Sequence, residues 1–496
     1  MKNLIKYTLC SLGLAICLVS CNEDEYLQFQ DTNGLNAAVL EATPELQESA
    51  VVAIYSAFRS EGMYGRYGNL LYDYVSDELS INISGQPQLS RISEFLLDGT
   101  FDAPSGFYKS AYSGIAKANF VIEGSENYTT EPEFYEPLVA EAYFMRGLYY
   151  YILATRYGDV PIKIGESTSG FQPKSTQEEV LQQAISDLKI ASEGMRTKAI
   201  QSVGRATNET AFAMLGKTYL YLKQYDEAYE AFDQVTSYSL MSNYIDNFNV
   251  AGEFNDETLL EIDFRKGSLD GLWGNNVGNN NTLSTLRSAD YSGWGNSIPN
   301  PVLVEAYEDN DPRFDDTWWV TGDSYGTGRT WGVDPDVGDF SGPTLGGTRM
   351  KKYSSYIEDD VHTQDNGTNI RLLRYSDVLL MKAETELFRN GGSLSNAIAL
   401  MNEVRSRPSV SMPLYGTAAM NDAGYPVNSV DEAFAALIHE RQIELAGEGK
   451  RFIDLQRWNL DMELLFNTGI KPNYSLDKRF LPIPTEQIDT NPLIND

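Results

Sequence analysis

The sequence predicts a mostly α-helical protein, in which tetratricopeptide-like helix pairs form a scaffold for an irregular, loop-rich, ligand-facing half with short strands. Three observations support this fold class: one clear copy of a 34-residue helix-pair repeat, weaker copies elsewhere, and a long aromatic segment without helical periodicity. In the clear copy, small residues occupy the positions where paired helices approach closely, and large aromatic residues surround them. Its members are Phe212, Leu215, Gly216, Tyr219, Tyr225, Ala228 and Phe232.

Three further helix pairs are predicted from related spacings. Their marker residues are Val51, Ile54 and Phe58; Tyr143, Gly147, Tyr150, Ala184 and Leu188; and Leu379, Leu380, Ala383, Ala397 and Met401. The aromatic residues at these positions are interpreted as core packing. Because the pairs are scattered along the chain rather than arranged in tandem, other material is expected to interrupt the scaffold.

The N-terminus has the pattern of a bacterial lipoprotein signal peptide. Lys2 and Lys6 precede an apolar run, which ends at Leu18-Val19-Ser20-Cys21 and is followed at once by Asn22-Glu23-Asp24-Glu25. A positive start, an apolar middle and small residues before the cleavage site are typical of a secretory leader. Cys21 is therefore predicted to be acylated. The lipid is expected to be the sole anchor, since no later apolar run approaches the length of a membrane-spanning helix.

The composition excludes several classes of protein. Removal of residues 1–20 takes away two lysines and no acids, which changes the formal net charge from −32 to −34. A field this negative repels nucleic acid, which requires a basic surface. The mature chain keeps one cysteine and two histidines, His362 and His439, so a disulfide, a Cys/His zinc site and a supported catalytic triad are not expected. No catalytic residue and no metal ligand are assigned.

Helical periodicity fades between about Gly267 and Gly347, where glycine and asparagine surround five of the six tryptophans. Large flat rings on irregular loops are typical of a recognition surface, because a scaffold can hold such loops rigidly. An aromatic face stacks on the C–H groups of a sugar, while neighbouring amides bind its hydroxyls. Trp273, Trp294 and Trp331 are therefore the predicted contacts of a neutral glycan. The pair Trp318-Trp319 is left open between this role and a strand with one ring buried.

A second aromatic loop, residues 62–69, has the same mixture of glycines and rings. Tyr64, Tyr67, Asn69 and Asp73 are predicted to face a ligand, although Asp73 is equally compatible with a solvated charge or a helix cap. A bound calcium ion also stays open, since Asp334, Asp336 and Asp339 cluster on one loop. Their spacing does not match a regular calcium-binding loop.

Near the C-terminus, Glu440, Glu444 and Glu448 stand four residues apart on one predicted helix face. Two adjacent carboxylates are what a glycoside hydrolase uses. The interleaved arginines Arg441, Arg451 and Arg457 favour structural ion pairs instead. His439, in the same helical run, is expected to be solvated or to cap the helix.

These features divide the chain into four parts. Residues 1–20 are the signal peptide, and residues 21–265 form an N-terminal helical part with the tetratricopeptide-like pairs. Residues 266–350 are the loop-rich variable region. Residues 351–496 form a C-terminal helical part that completes the scaffold.

Several motifs together resemble the SusD/RagB family of Bacteroidetes outer-membrane nutrient-binding lipoproteins. The similarity extends over nearly the whole mature chain, and the acidic residues after Cys21 look like the signal that sends lipoproteins of that phylum to the cell surface. Ser376 stands where the family usually has alanine. The motifs lie at residues 108–119, 140–147, 374–380, 402–407 and 440–458, at Tyr157-Gly158-Asp159-Val160-Pro161 and at Leu481-Pro482-Ile483-Pro484.

The resemblance implies a non-catalytic protein that acts as a lid on a TonB-dependent transporter of the SusC type. In the family, the lid binds an oligomeric nutrient outside the cell and delivers it to the transporter. The motif at residues 440–458 is then scaffold, and the ligand residues lie in the variable loops. The expected ligand is an oligosaccharide or polysaccharide. A peptide-binding lid and a surface glycoside hydrolase are the alternatives.

Overall fold

The structure is a computed structural model, which describes residues 44–68, 70–81, 87–125, 131–165, 168, 170–265, 295–325, 329–331, 333, 348–353 and 367–495. Helices dominate this part of the chain, as the sequence predicts. The helices of the N-terminal part are α1 (Pro44–Tyr55), α2 (Leu70–Asp73), α3 (Pro87–Ser93), α4 (Asp102–Gly124), α5 (Pro132–Tyr157), α6 (Gln177–Gly194), α7 (Asn208–Tyr221) and α8 (Tyr225–Phe232). Those that follow are α9 (Pro301–Ala306), α10 (Pro312–Thr317), α11 (Tyr375–Phe388), α12 (Leu394–Arg405), α13 (Ala418–Asp422), α14 (Val430–Glu444), α15 (Arg451–Trp458) and α16 (Thr485–Thr490).

Short strands pair in four antiparallel two-stranded sheets within the described residues. The strands are β1 (Leu79–Ile81), β2 (Thr258–Ile262), β3 (Ser297–Pro299), β4 (Trp318–Trp319), β5 (Ser324–Tyr325), β6 (Arg329–Thr330), β7 (Arg349–Met350) and β8 (Ile370–Arg374). The pairs are β1 with β3, β2 with β8, β4 with β7, and β5 with β6. In the second pair, Ile262 lies opposite Ile370, so the chain leaves the helical part at β2 and returns beside it at β8.

Three of the four predicted helix pairs are present: α5 with α6, α7 with α8, and α11 with α12. Val51 and Ile54 lie in α1, but Phe58 lies in a short 3-10 helix, and α1 packs on α4 and α5. The clear repeat forms α7 and α8, and a Cβ atom at Gly216 would lie 2.6 Å from Cε1 of Phe232. In the earlier copy, a Cβ at Gly147 would lie 3.0 Å from Cγ of Leu188. Glycine is therefore required where these helices touch, which is the role that the repeat spacing predicts.

Local capping explains where several helices begin. Thr176 accepts a hydrogen bond from the Glu179 backbone, and the Glu179 carboxylate accepts one from the Thr176 backbone, which completes a capping box at the start of α6. Thr207 and Thr210 form the same arrangement before α7. Ser429 caps α14 by accepting a hydrogen bond from the Glu432 backbone.

Two apolar cores lie under these helices. The larger one joins the helices α1 to α8 with the two strands β2 and β8, and it includes Phe58, Tyr149 and Phe452. The smaller one lies between α11, α12 and α14 and is filled by residues such as Leu380 and Met401. None of the described helices has the length and apolar character needed to cross a membrane. Cys21, the predicted lipidation site, lies outside the described residues.

Candidate functional site

The described part of the loop-rich region is a small tryptophan-centred core. Trp318 and Trp319 form β4 and pair with Met350 and Arg349 of β7. Both rings are buried, with exposed fractions of 0% and 1%. Indole Nε1 of Trp318 donates a hydrogen bond to the Tyr307 hydroxyl at 3.3 Å. The strand alternative for this pair is confirmed, and both rings are buried rather than one.

Trp331 belongs to the same core. Its ring has no exposed surface and stacks against Trp319, with 6.2 Å between ring centroids and 24° between planes. Its backbone N–H donates to Asp323, and its carbonyl accepts from Gly322. A ring enclosed in this way has no face left for a glycan, so its burial argues against the predicted contact at Trp331. The other two predicted tryptophans, Trp273 and Trp294, lie outside the described residues.

The second aromatic loop is also largely internal. Tyr64 is buried, its ring lies near Phe58 and Phe107, and its hydroxyl accepts a hydrogen bond from Arg156. Asp73 is buried as well.

The Asp73 carboxylate accepts a hydrogen bond from the backbone N–H of Gly449 at 2.7 Å, so it tethers a distant loop. Ligand contact by Tyr64 and Asp73 is therefore disfavoured, because their polar groups already have protein partners. Tyr67 is half-buried beneath Arg66, whose guanidinium lies 4.9 Å from its ring centroid, and it keeps some exposed surface. Asn69 lies outside the described residues.

Buried ion pairs fasten the segment between β2 and β8 to the C-terminal helices. Arg313 in α10 donates to Glu440 at 2.6 Å and to Glu444 at 3.2 Å. Lys352, which follows β7, donates to Glu448 at 2.8 Å and to the Ala446 carbonyl at 3.0 Å. All of these side chains are at most 1% exposed.

The same three glutamates also bind arginines from β8 and α12. Arg374 contacts Glu444 and Glu448, and Arg405 contacts Glu440 at 2.8 Å. Ser376, at the position that differs from the usual family residue, accepts a hydrogen bond from Arg374 at 2.7 Å. The prediction of structural ion pairs is confirmed, but these partners come from distant parts of the sequence.

The arginines that are close to these glutamates in sequence pair with other acidic residues. Arg441 contacts Asp377 and Asp454, Arg451 contacts Asp77, and Arg457 contacts Glu384 and Asp454. The expectation for His439 is wrong: its ring is buried, lies 3.0 Å from the Glu308 carboxylate and stacks on Tyr425.

Neighbouring cations keep the Glu440 and Glu448 carboxylates ionised. Burial opposes ionisation of Glu440, but the Arg313 and Arg405 guanidinium groups outweigh it and lower its pKa to about 2. In the same way, Arg374 and Lys352 lower the pKa of Glu448 to about 2 against the effect of burial. Glu440 and Glu448 are at most 2% exposed, so their carboxylates are closed to a glycan and do not form the acid and base pair of a hydrolase.

No group of three or more His, Cys, Asp or Glu side chains in the described residues is arranged to hold a metal ion. The acidic cluster of Asp334, Asp336 and Asp339 falls outside that part of the chain.

Two large cavities open on the described surface, and the sequence predicted neither. The first, about 570 Å³, lies between α4 and the C-terminal segment and is lined by Tyr108, Tyr112, Phe120 and Phe171. The second, about 600 Å³, lies between α1, the loop before α7 and the end of β2, and Phe254 lines it. Their lining residues come from segments far apart in sequence, so no local spacing signals them.

Comparison with known proteins places the chain in a family. A family model described as "SusD family" matches residues 256–496, and one described as "Starch-binding associating with outer membrane" matches residues 49–220. SusD-like protein P25 of Formosa agariphila is 26% identical over 487 residues, which cover 90% of this chain and 89% of that protein.

The fold is similar to solved structures over nearly the full length. A SusD-like carbohydrate-binding protein from Bacteroides fragilis has a TM-score of 0.77 at 21% identity, covering 92% of this chain and 99% of that one. Surface glycan-binding protein A from Bacteroides thetaiotaomicron, solved in complex with laminarihexaose, has a TM-score of 0.73 at 22% identity, covering 90% and 97%. With matching family models over both halves and a shared fold, this chain belongs to the SusD/RagB family.

Proposed function

We propose that this protein binds an oligosaccharide or polysaccharide at the cell surface and delivers it to a TonB-dependent transporter of the SusC type. The observation that supports this proposal is the placement of the aromatic residues. Five of the six tryptophans lie in the segment that leaves the scaffold at β2 and returns at β8. Three of them are buried as the core of that segment, which leaves Trp273 and Trp294 as the proposed contacts. Buried ion pairs at Arg313 and Lys352 tie that segment to the C-terminal helices.

Relatives support a glycan as the ligand. One structural neighbour is named a carbohydrate-binding protein, and another was solved with laminarihexaose. The burial of Trp331 moves the proposed contacts to Trp273, Trp294 and Tyr67. Weak individual contacts suffice for such a role, because a repeating glycan and a tethered lid raise the effective concentration.

The membrane anchor is a separate part of the proposal. Cys21 would hold the protein on the outer membrane through its lipid, facing the exterior, and the helical body would close over the transporter. Cys21→Ser should move the protein from the membrane fraction to the soluble fraction and remove radiolabelled palmitate. Continued membrane association of this variant without the label would contradict lipid anchoring. Protease treatment of intact cells tests the exterior orientation.

Affinity electrophoresis tests the ligand class. The wild-type protein is run through gels that contain plant, host or fungal polysaccharides, with laminarin and starch among them. We expect at least one polysaccharide to retard it, and Trp273→Ala/Trp294→Ala to remove the retardation. Phe171→Ala is the matched control, since Phe171 is an aromatic residue with 59% exposure that lines the cavity of about 570 Å³ beside α4.

Two alternatives have distinct outcomes. Capture of peptides from a protein digest, without retardation by any polysaccharide, would favour the peptide-binding lid. Shortened products after incubation with a retarding glycan would favour a hydrolase, which the buried carboxylates at residues 440–448 do not support.

A further inference from the structure

Phe254 presents an aromatic ring in a cleft beside β2. It lines both the cavity of about 600 Å³ and a smaller adjoining cavity of about 160 Å³. The two cavities share Val203 and Gly204 from the loop before α7, together with Leu260 and Glu261 from β2. The two cavities are therefore adjacent on the surface beside β2, and Phe254 lines both. The larger cavity has the size of typical ligand sites.

The backbone at Phe254 is unusual. Its φ angle of 54° lies in the left-handed region, which bulky side chains rarely adopt. The Glu261 carboxylate holds this conformation by accepting a hydrogen bond from the Phe254 N–H at 2.8 Å. Strained backbone of this kind is concentrated at binding sites, where the surrounding structure maintains it.

Phe254 differs from two other aromatic residues that have positive φ angles, because their side chains are buried. Among the described residues, Phe95 and Tyr353 also have positive φ angles, of 55° and 69°. Both are buried and have ring neighbours, which are Tyr474 for Phe95 and Phe248 for Tyr353. Core packing accounts for those two. Phe254 is 38% exposed, so core packing does not account for it in the same way.

The facing loop before α7 lies close to the ring. Gly204 has a φ angle of 86°, and a Cβ atom there would lie 3.4 Å from Cε1 of Phe254. Any other residue would be strained by this positive φ angle, and its Cβ would be in van der Waals contact with the ring. Two backbone conformations with positive φ angles therefore lie side by side where Phe254 lines the cavity.

Polar groups lie at the edge of the same cleft. Asp263 and Arg265 line it, are 40% and 77% exposed, and are 3.6 Å apart. Being exposed, they can exchange their water contacts for contacts to a ligand. One flat ring beside an exposed carboxylate and guanidinium suits a sugar, which offers C–H groups on its face and hydroxyls at its edge.

We propose that Phe254 is the stacking platform of an oligosaccharide subsite formed by β2 and the loop before α7. This inference rests on the proposed glycan-binding function and adds a subsite within the described scaffold, separate from Trp273 and Trp294 in sequence. The hydroxyls of a sugar stacked on Phe254 would contact Asp263 and Arg265.

Calorimetric titration with laminarihexaose and maltohexaose tests the subsite. Phe254→Gly removes the ring and suits the left-handed backbone, so we expect it to unfold at the same temperature as wild type or higher. We expect about tenfold weaker binding of whichever hexaose the wild-type protein binds. Phe254→Trp should retain binding, and Phe171→Ala is the matched control. A purely structural ring would instead give lower stability with unchanged affinity.

The outcomes separate the subsite from the proposed function. If Phe254→Gly binds the hexaose as wild type does while Trp273→Ala/Trp294→Ala does not, the subsite is refuted and glycan binding stands. If Phe254→Gly is unstable, Phe254→Leu decides, and unchanged binding by that variant refutes a stacking role. If neither hexaose and no polysaccharide binds the wild-type protein, both proposals fail. Binding of digest peptides alone, lost in Phe254→Gly, would overturn the sugar assignment.

Discussion

Lys352 and Glu448 form a buried ion pair, with 2.8 Å between Nζ and Oε1, across the junction of the loop-rich region and the C-terminal helices. Lys352 follows β7, and Glu448 lies between α14 and α15. Glu448 also accepts hydrogen bonds from Arg374, whereas Lys352 has Glu448 as its carboxylate partner. The two partners are therefore unequal, because Glu448 pairs with two buried cations, although Arg374 is also paired with Glu257 and Glu444.

This difference predicts that Glu448→Gln and Lys352→Met lower the free energy of unfolding by unequal amounts. Glu448→Gln leaves Lys352 and Arg374 with less compensation, so we expect a loss of about 3 to 5 kcal/mol in the free energy of unfolding. Lys352→Met leaves Glu448 paired with Arg374 and should cost less. Denaturant unfolding measures both. Equal losses, or a larger loss for Lys352→Met, would contradict the predicted inequality between the two partners.

Substitution of Trp331 tests whether its ring stabilises the core rather than contacting a ligand. Because its ring is fully buried against Trp319, Trp331→Ala should lower the free energy of unfolding by about 3 to 5 kcal/mol. Val333→Ala, two residues away at an exposed position, should change it by less than about 0.5 kcal/mol. A Trp331→Ala protein of wild-type stability that no longer binds glycan would restore the ligand role.

Stability should rise as the pH falls from about 7.5 to about 5. Burial raises the pKa of Glu253 to about 7 and that of Asp316 to about 6. Because these carboxyls take up protons in the folded state before the unfolded state does, acidification in this range favours folding. Glu253→Gln should flatten the rise in melting temperature. Glu193→Gln, at an exposed position in α6, is the control.

Further acidification should have the opposite effect. Arginine and lysine partners outweigh burial and lower the pKa of Glu257, Glu440 and Glu448 to about 2. The stability from these carboxylates is present above the unfolded pKa of about 4.5 and is lost as the pH falls towards 2. Melting temperatures measured between pH 7.5 and pH 2.5 should therefore pass through a maximum at about pH 5. A steady fall from pH 7.5 would contradict this account.

The helix pairs could be predicted because their signal is local. Gly216 and Phe232 are within one repeat, and a repeat fixes which residues face each other whatever the rest of the chain does. The presence of ion pairs near residues 440–448 was also predictable, since so many charges on one helix need partners. Their identity was not, because Arg313 and Lys352 lie in another part of the sequence.

The burial of individual rings was not predictable in the same way. Trp331 has glycine and aspartate neighbours in sequence, as an exposed loop residue would, yet the β4 and β7 pairing places Trp319 over it. Phe254 was missed for the opposite reason. The backbone conformation of Phe254 depends on a hydrogen bond to the Glu261 carboxylate, and its ring lies beside Gly204; neither contact has a sequence pattern.

The predicted boundaries at residues 265/266 and 350/351 stay a prediction. Strand β2 belongs to the N-terminal part and β8 to the C-terminal part, yet the two strands form one sheet. The scaffold is therefore continuous across the loop-rich insertion.

The most direct test of glycan capture is calorimetric titration of the retarding polysaccharide into wild-type protein and into Trp273→Ala/Trp294→Ala. We expect saturable binding by the wild-type protein and binding at least about tenfold weaker in the double variant, with the same melting temperature. Undiminished binding by a folded double variant would contradict the assignment of Trp273 and Trp294 as the glycan contacts.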